Sequence, residues 1–146
     1  MTYHNPMNQY RTVDAYGAAA AGDRVQLIAR LMQGALDRIA TARGHMQRGE
    51  VAAKCEALSK AVRMIDGLRS CLDHEKGGEL ASRLSALYDY MTRRLTEGNL
   101  RNEPRCLDEV ADLLDEIRSG WEQMMASPAL RAISGAASTG AGREPA

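Results

Sequence analysis

Phenylalanine is absent from this 146-residue sequence, tryptophan occurs once, and aromatic residues make up only 4% of the chain. That poverty excludes the aromatic stacking platforms on which single-stranded nucleic acids are held. Charge of one sign is lacking too, because 19 lysines and arginines balance 19 aspartates and glutamates. A balanced chain offers no long-range steering towards nucleic acid or anionic lipid. Neither nucleic-acid binding nor membrane insertion is expected, since no apolar run approaches the length that spans a bilayer. The three cysteines, Cys55, Cys71 and Cys106, form neither a CxxC pair nor a zinc spacing. They read as small buried hydrophobes in a reducing compartment. The amino terminus, MTYHNPMNQY, lacks the apolar core of a signal peptide, so a cytoplasmic location is expected.

What the sequence does have is helical periodicity. Leu80, Leu84, Leu87, Met91 and Leu95 are spaced by four, three, four and four residues, which keeps one stripe facing inward. Tyr88 and Tyr90 widen that stripe. Such a helix is not stable alone in water and needs partners. Ile28, Leu31, Met32, Ala35, Leu36 and Ile39 give a helix before it, expected to start near Asp23 and to end at Gly49. Gly34 in its middle reads as a packing or docking notch. Val51, Cys55, Leu58, Val62, Ile65, Leu68 and Leu72 give a second helix, which ends before Gly77 and Gly78. The third then runs to a stop at Gly98 and Asn99. Asn102 is expected to cap a fourth, with Pro104 in its first turn and Leu107, Val110, Leu113, Leu114, Ile117, Trp121 and Met124 along it. No strand pattern occurs. The expected architecture is all-α, an antiparallel up-down four-helix bundle. It comprises an amino-terminal arm over residues 1–22, the bundle over 23–126 and a disordered tail over 127–146. Met7, Tyr10, Val13 and Tyr16 recur at three-residue steps and give the polar arm one sticky side.

Catalytic and cofactor chemistry is hard to place on this sequence. Bundle-core metal sites use an inward Glu-x-x-His, and none is present; no metal or other cofactor is expected. There is no Gly-rich phosphate loop and no nucleophile turn, so an enzyme is not expected. His45-x-x-Arg48-Gly49 faintly resembles the signature of histidine phosphotransfer bundles. Gly49, however, reads as a helix terminator, whereas a phosphotransfer histidine belongs in mid-helix. Eight methionines describe an adaptable core. Methionine-rich apolar grooves suit helical or extended segments of another chain.

The sequence also resembles the flagellar secretion chaperone FliS family. The resemblance rests on Leu72-Asp73, Glu75-Lys76-Gly77-Gly78, Leu87-Tyr88-Asp89-Tyr90-Met91 and Arg93-Arg94-Leu95. Gln9-Tyr10, Leu31-Met32-x-Gly34-Ala35-Leu36, Leu107-x-Glu109-Val110, Leu113-Leu114 and Trp121 extend it over about residues 7–125. Two positions depart from the family pattern: AAAAGD stands where a Ser/Thr-rich lead-in is usual, and Met32-Gln33 where tyrosine-aspartate is common. The resemblance implies a cytoplasmic export chaperone that holds the carboxy-terminal segment of flagellin, prevents premature polymerisation and helps deliver it to the flagellar type III export gate. Tyr10 in the arm, with Leu31, Leu58, Ile65, Leu87, Tyr88, Met91 and Leu95, are the candidate client contacts. A homodimer is left open. A signalling bundle, acting by phosphotransfer or as a regulator of flagellar gene expression, is the alternative reading.

Overall fold

The computed structural model describes residues 21–127, and the arm and tail expected from the sequence lie outside them except at their inner ends. Four helices follow one another: α1 (Ala21–Gln47), α2 (Val51–Ser70), α3 (His74–Arg101) and α4 (Pro104–Ala126). The links, residues 48–50, 71–73 and 102–103, are too short for anything but a reversal between neighbours. Each helix packs on the next and α4 packs back on α1, closing an up-down ring. No strand occurs among the described residues.

The apolar stripes meet along the axis. Ile28, Met32, Ala35 and Ile39 of α1 face Leu58, Ala61, Ile65 and Leu68 of α2, Tyr88, Met91 and Leu95 of α3, and Leu107, Val110 and Leu114 of α4 in one buried cluster. Each large aliphatic side chain there contributes roughly 1.5–3 kcal/mol before conformational entropy is subtracted. Gly34 is a packing notch: a Cβ there would stand 2.8 Å from Met64 Sδ. Cys71 and Cys106 are buried and Cys55 is half-buried, and all three are reduced thiols.

Helix ends differ from expectation in three places. α1 already runs from Ala21, so Asp23 lies inside the first turn, where its charge complements the helix dipole. α3 does not stop at Gly98 and Asn99 but continues to Arg101. Gly98 is a contact glycine, since a Cβ on it would lie 2.8 Å from both Cys106 Cβ and Leu107 Cδ1. Asn102 is not the cap of α4 but the left-handed residue that closes α3, at φ 54° and ψ 48°. Glu103 takes the capping position of α4 without a side-chain bond, and Pro104 opens that helix. At the other end of α3, Asp73 accepts a hydrogen bond from the Lys76 amide, and Gly78 kinks the helix at φ 53° and ψ −125°.

Candidate functional site

The antiparallel order sends the start of α1, the end of α2, the start of α3 and the end of α4 to one end of the bundle. There the helices fail to close on one another. Ile28 and Met32, Leu68, Cys71 and Leu72, Leu80, Leu84 and Tyr88, and Ile117, Gly120, Trp121 and Met124 line a cavity of about 180 Å³. Its walls are almost wholly apolar. Burial drives the pKa of the Tyr88 hydroxyl upward, with Cys71 adding to the effect, so this phenol stays neutral at all physiological pH.

A second recess runs between α2 and α3 nearer the opposite end. Leu58, Val62 and Leu95 form its floor, and Ser59, Arg63, Thr96 and Asn99 its polar sides, around about 350 Å³. An apolar floor with polar walls matches an amphipathic segment laid lengthwise. Among the described residues, the large hydrophobic side chains left exposed are Val51, Leu87 and Leu100, the last at 82%.

The remaining polar contacts clamp helices together. Arg43 of α1 donates through Nη2 to Asp108 Oδ2 of α4 at 2.9 Å. The hydrogen bond from Arg43, more than its charge, holds the Asp108 carboxyl below its usual range. Glu109 of α4 accepts from the Tyr90 hydroxyl at 2.6 Å and from Arg94 Nε at 2.7 Å, which lowers its pKa as well. Lys54 is 5% exposed, and its ammonium donates to Asn99 O at 3.2 Å and Asn102 Oδ1 at 3.0 Å. His45 sits in the last turn of α1 with its Nδ1 2.7 Å from Glu50 Oε1, a helix-end contact. Among the described residues no group of His, Cys, Asp or Glu side chains could hold a metal ion, and no helix is long and apolar enough to cross a membrane.

The candidate contact residues do not form one patch. Leu58 and Leu95 share the α2–α3 groove, where both are nearly covered. Tyr88 belongs to the end cavity. Leu31 is half-buried, its Cδ1 3.3 Å from where a Cβ on Gly67 would stand. Leu87 lies on the α4 side of α3, one turn before Tyr90. Ile65 and Met91 are wholly enclosed in the core, and Tyr10 falls outside the described residues. Val62, Leu84 and Trp121 were legible as helix stripe and not as recess lining. A hint was present in Gly120 beside the sole tryptophan, where a helix face loses a side chain.

A family model described as "Flagellar protein FliS" matches residues 6–128. The chain is 46% identical over 116 residues to the "Flagellar secretion chaperone FliSB" of Pseudomonas aeruginosa, covering 80% of this chain and 92% of that protein. Identity to the "Flagellar secretion chaperone FliS" of Salmonella typhimurium is 47% over 116 residues, covering 79% and 86%. The Bacillus subtilis chaperone of the same description is 31% identical over 127 residues, covering 87% and 91%. With the model match and these relatives running through all four helices, the chain belongs to the FliS family of flagellar secretion chaperones.

Proposed function

We propose that this protein binds the carboxy-terminal segment of flagellin in the cytoplasm, keeps it from polymerising and hands it to the flagellar type III export gate. The observation that carries the reading is the pairing of a clamped bundle with two recesses, an apolar one at its end and one with an apolar floor and polar sides between α2 and α3. A segment destined for a coiled filament core has apolar faces that self-associate, and recesses of this kind cover them. Ordering such a segment costs entropy, so a wrapped interface spread over several shallow sites suits it better than one deep pocket. Leu58, Val62 and Leu95 supply the floor for a client helix, and the exposed Leu87 and Leu100 add apolar surface elsewhere on α3. The enclosed Ile65 and Met91 support those walls from behind. The arm, with Tyr10, covers part of this surface until the client displaces it. Nothing in the action needs a catalytic group or a cofactor.

Titration calorimetry against the carboxy-terminal segment of the cognate flagellin tests the reading. Saturable one-to-one binding with a large negative heat-capacity change is expected, as apolar surface is buried and the segment folds. No heat and no co-elution at concentrations well above cellular ones would overturn it. Removing residues 1–16 should change client affinity while leaving helicity intact; unchanged affinity would discard the role of the arm.

A further inference from the structure

We propose that Arg63 selects what the α2–α3 recess holds, by pairing with an aspartate or glutamate side chain on the polar edge of an amphipathic client helix. The inference rests on that recess being a client site and adds the chemistry that the client must carry there.

The charges come first. Arg63 is the one charged side chain that lines the recess, and it enters no hydrogen bond or ion pair among the described residues. The cations around it are committed elsewhere. Lys60 lies 3.7 Å from Glu56, and Arg69 and Arg93 share Asp89 at 3.0 and 3.1 Å. Asp66, three residues beyond Arg63 on α2, makes no ion pair with it. Glu56 and Asp89 are thus taken by other cations, and the only charge on the recess wall is positive.

The acceptors are engaged as well. Asn99 O receives Lys54 Nζ at 3.2 Å, and Asn99 Oδ1 receives the Cys55 thiol at 3.6 Å. The Thr96 hydroxyl donates to Thr92 O at 3.0 Å. What the walls have left to give is chiefly donors: the Arg63 guanidinium, the Asn99 amide nitrogen and the Ser59 hydroxyl. A segment that suits them brings acceptors. Within a helix the backbone carbonyls are bonded to the helix's own amides, so a helical client offers acceptors through its side chains. A carboxylate matches the guanidinium best, because it takes two parallel N–H bonds from the planar fork. The apolar face of the same helix meets the floor of Leu58, Val62 and Leu95. Arg63 follows Val62 directly and so stands at the rim of that floor.

Calorimetric titration of the full-length protein with the carboxy-terminal flagellin segment, as free acid and as amide, tests the pairing. Arg63→Glu should weaken binding roughly tenfold. Arg63→Lys should weaken it less, since it keeps the charge and loses the fork. Association of the unaltered pair should slow as salt rises, and Arg63→Gln should flatten that dependence. Arg30→Glu makes the same change of charge on an exposed position of α1 and should leave affinity unaltered. When each Asp and Glu of the peptide is replaced singly by Lys, one such peptide should bind Arg63→Glu better than it binds the unaltered protein. A reversal of that kind does not arise from a folding defect. The proposal is overturned if Arg63→Glu binds the original peptide as the unaltered protein does, or if no charge-reversed peptide restores binding. It is equally overturned if amidation alone reproduces the loss, which would make the client's terminal carboxylate the partner of Arg63. A segment that does not bind the unaltered protein at all would overturn the client reading together with this one, whereas binding indifferent to Arg63 would overturn this one alone.

Discussion

The two ends of this bundle are built from the same four helices and are not alike. At the end where α1 meets α2 and α3 meets α4, the helix ends are packed and bonded to one another, and only the shallow α2–α3 recess opens beside them. Gly98 lets Cys106 and Leu107 press against α3, Lys54 donates to the Asn99 carbonyl in the last turn of α3 and to the Asn102 side chain, and Arg43 and Arg94 tie α4 to α1 and α3. At the other end α3 is kinked at Gly78, and Leu80, Leu84 and Trp121 look onto unfilled space. The link there, residues 71–73, carries a single side-chain cap from Asp73. The difference teaches where the chain invests stability and where it keeps surface for another segment. One end sets the register of the helices, and the other leaves apolar area uncovered at some cost in stability.

That contrast is sharpest in the leucines. Leu107→Ala removes a fully buried side chain from the closed end and should cost about 2–5 kcal/mol in urea unfolding. Leu84→Ala, on a cavity wall that is already half open, should cost distinctly less and instead weaken client binding. Equal losses would mean that the two ends are packed alike. Lys54→Met comes next. It leaves Asn99 O and Asn102 Oδ1 without their donor, at about 1–3 kcal/mol, and the loss should be accompanied by faster amide exchange in the last turn of α3. The glycines give a difference of sign. Gly98→Ala sets a methyl 2.8 Å from Cys106 Cβ and should destabilise by about 1–3 kcal/mol, despite alanine's better helix propensity. Gly120→Ala meets nothing within 4 Å and should stabilise by up to about 1 kcal/mol. Thermal midpoints moving in the same direction would break the comparison.

The sequence pattern carried the four helices because their stripes are long and regular, from Ile28 to Ile39 and from Leu80 to Leu95. It misread Gly98 and Asn102 because a glycine that terminates a helix and one that admits a neighbour are the same letter. Only the approach of Cys106 and Leu107, residues of the next helix, separates the two roles. For the site, periodicity marked Leu58, Tyr88 and Leu95 as apolar, yet it cannot distinguish a stripe residue facing a filled core from one facing a recess. Met91 and Leu84 carry the same signal and have opposite surroundings. The cavity arises from what four helix ends fail to do together, and no single stretch of sequence records that.

The smallest expected effect is electrostatic, and the order in which acid loosens the two ends discriminates between them. Asp108 and Glu109 at the closed end have pKa values held below their usual ones, the first chiefly by the hydrogen bond from Arg43 and the second by those from Tyr90 and Arg94. A carboxylate whose folded pKa is depressed contributes stability above its unfolded value, near 4, and loses it as pH falls through the folded one. The unfolding midpoint should therefore be flat from neutral pH down to about 5 and should decline below about 4.5. Asp108→Asn should lower the neutral midpoint slightly, since both partners are well exposed to solvent and screened, and should make the acid decline shallower. Asp89, whose pKa is lowered by Arg93 and Arg69, ties α3 to α2 nearer the open end and provides the control. If acid exposes Trp121 before it loosens the amides around Leu107, the open end is the first to yield and the clamps of the closed end outlast it. If the order is reversed, the clamps are ionic in substance, and the packing of Gly98 against α4 is secondary to them.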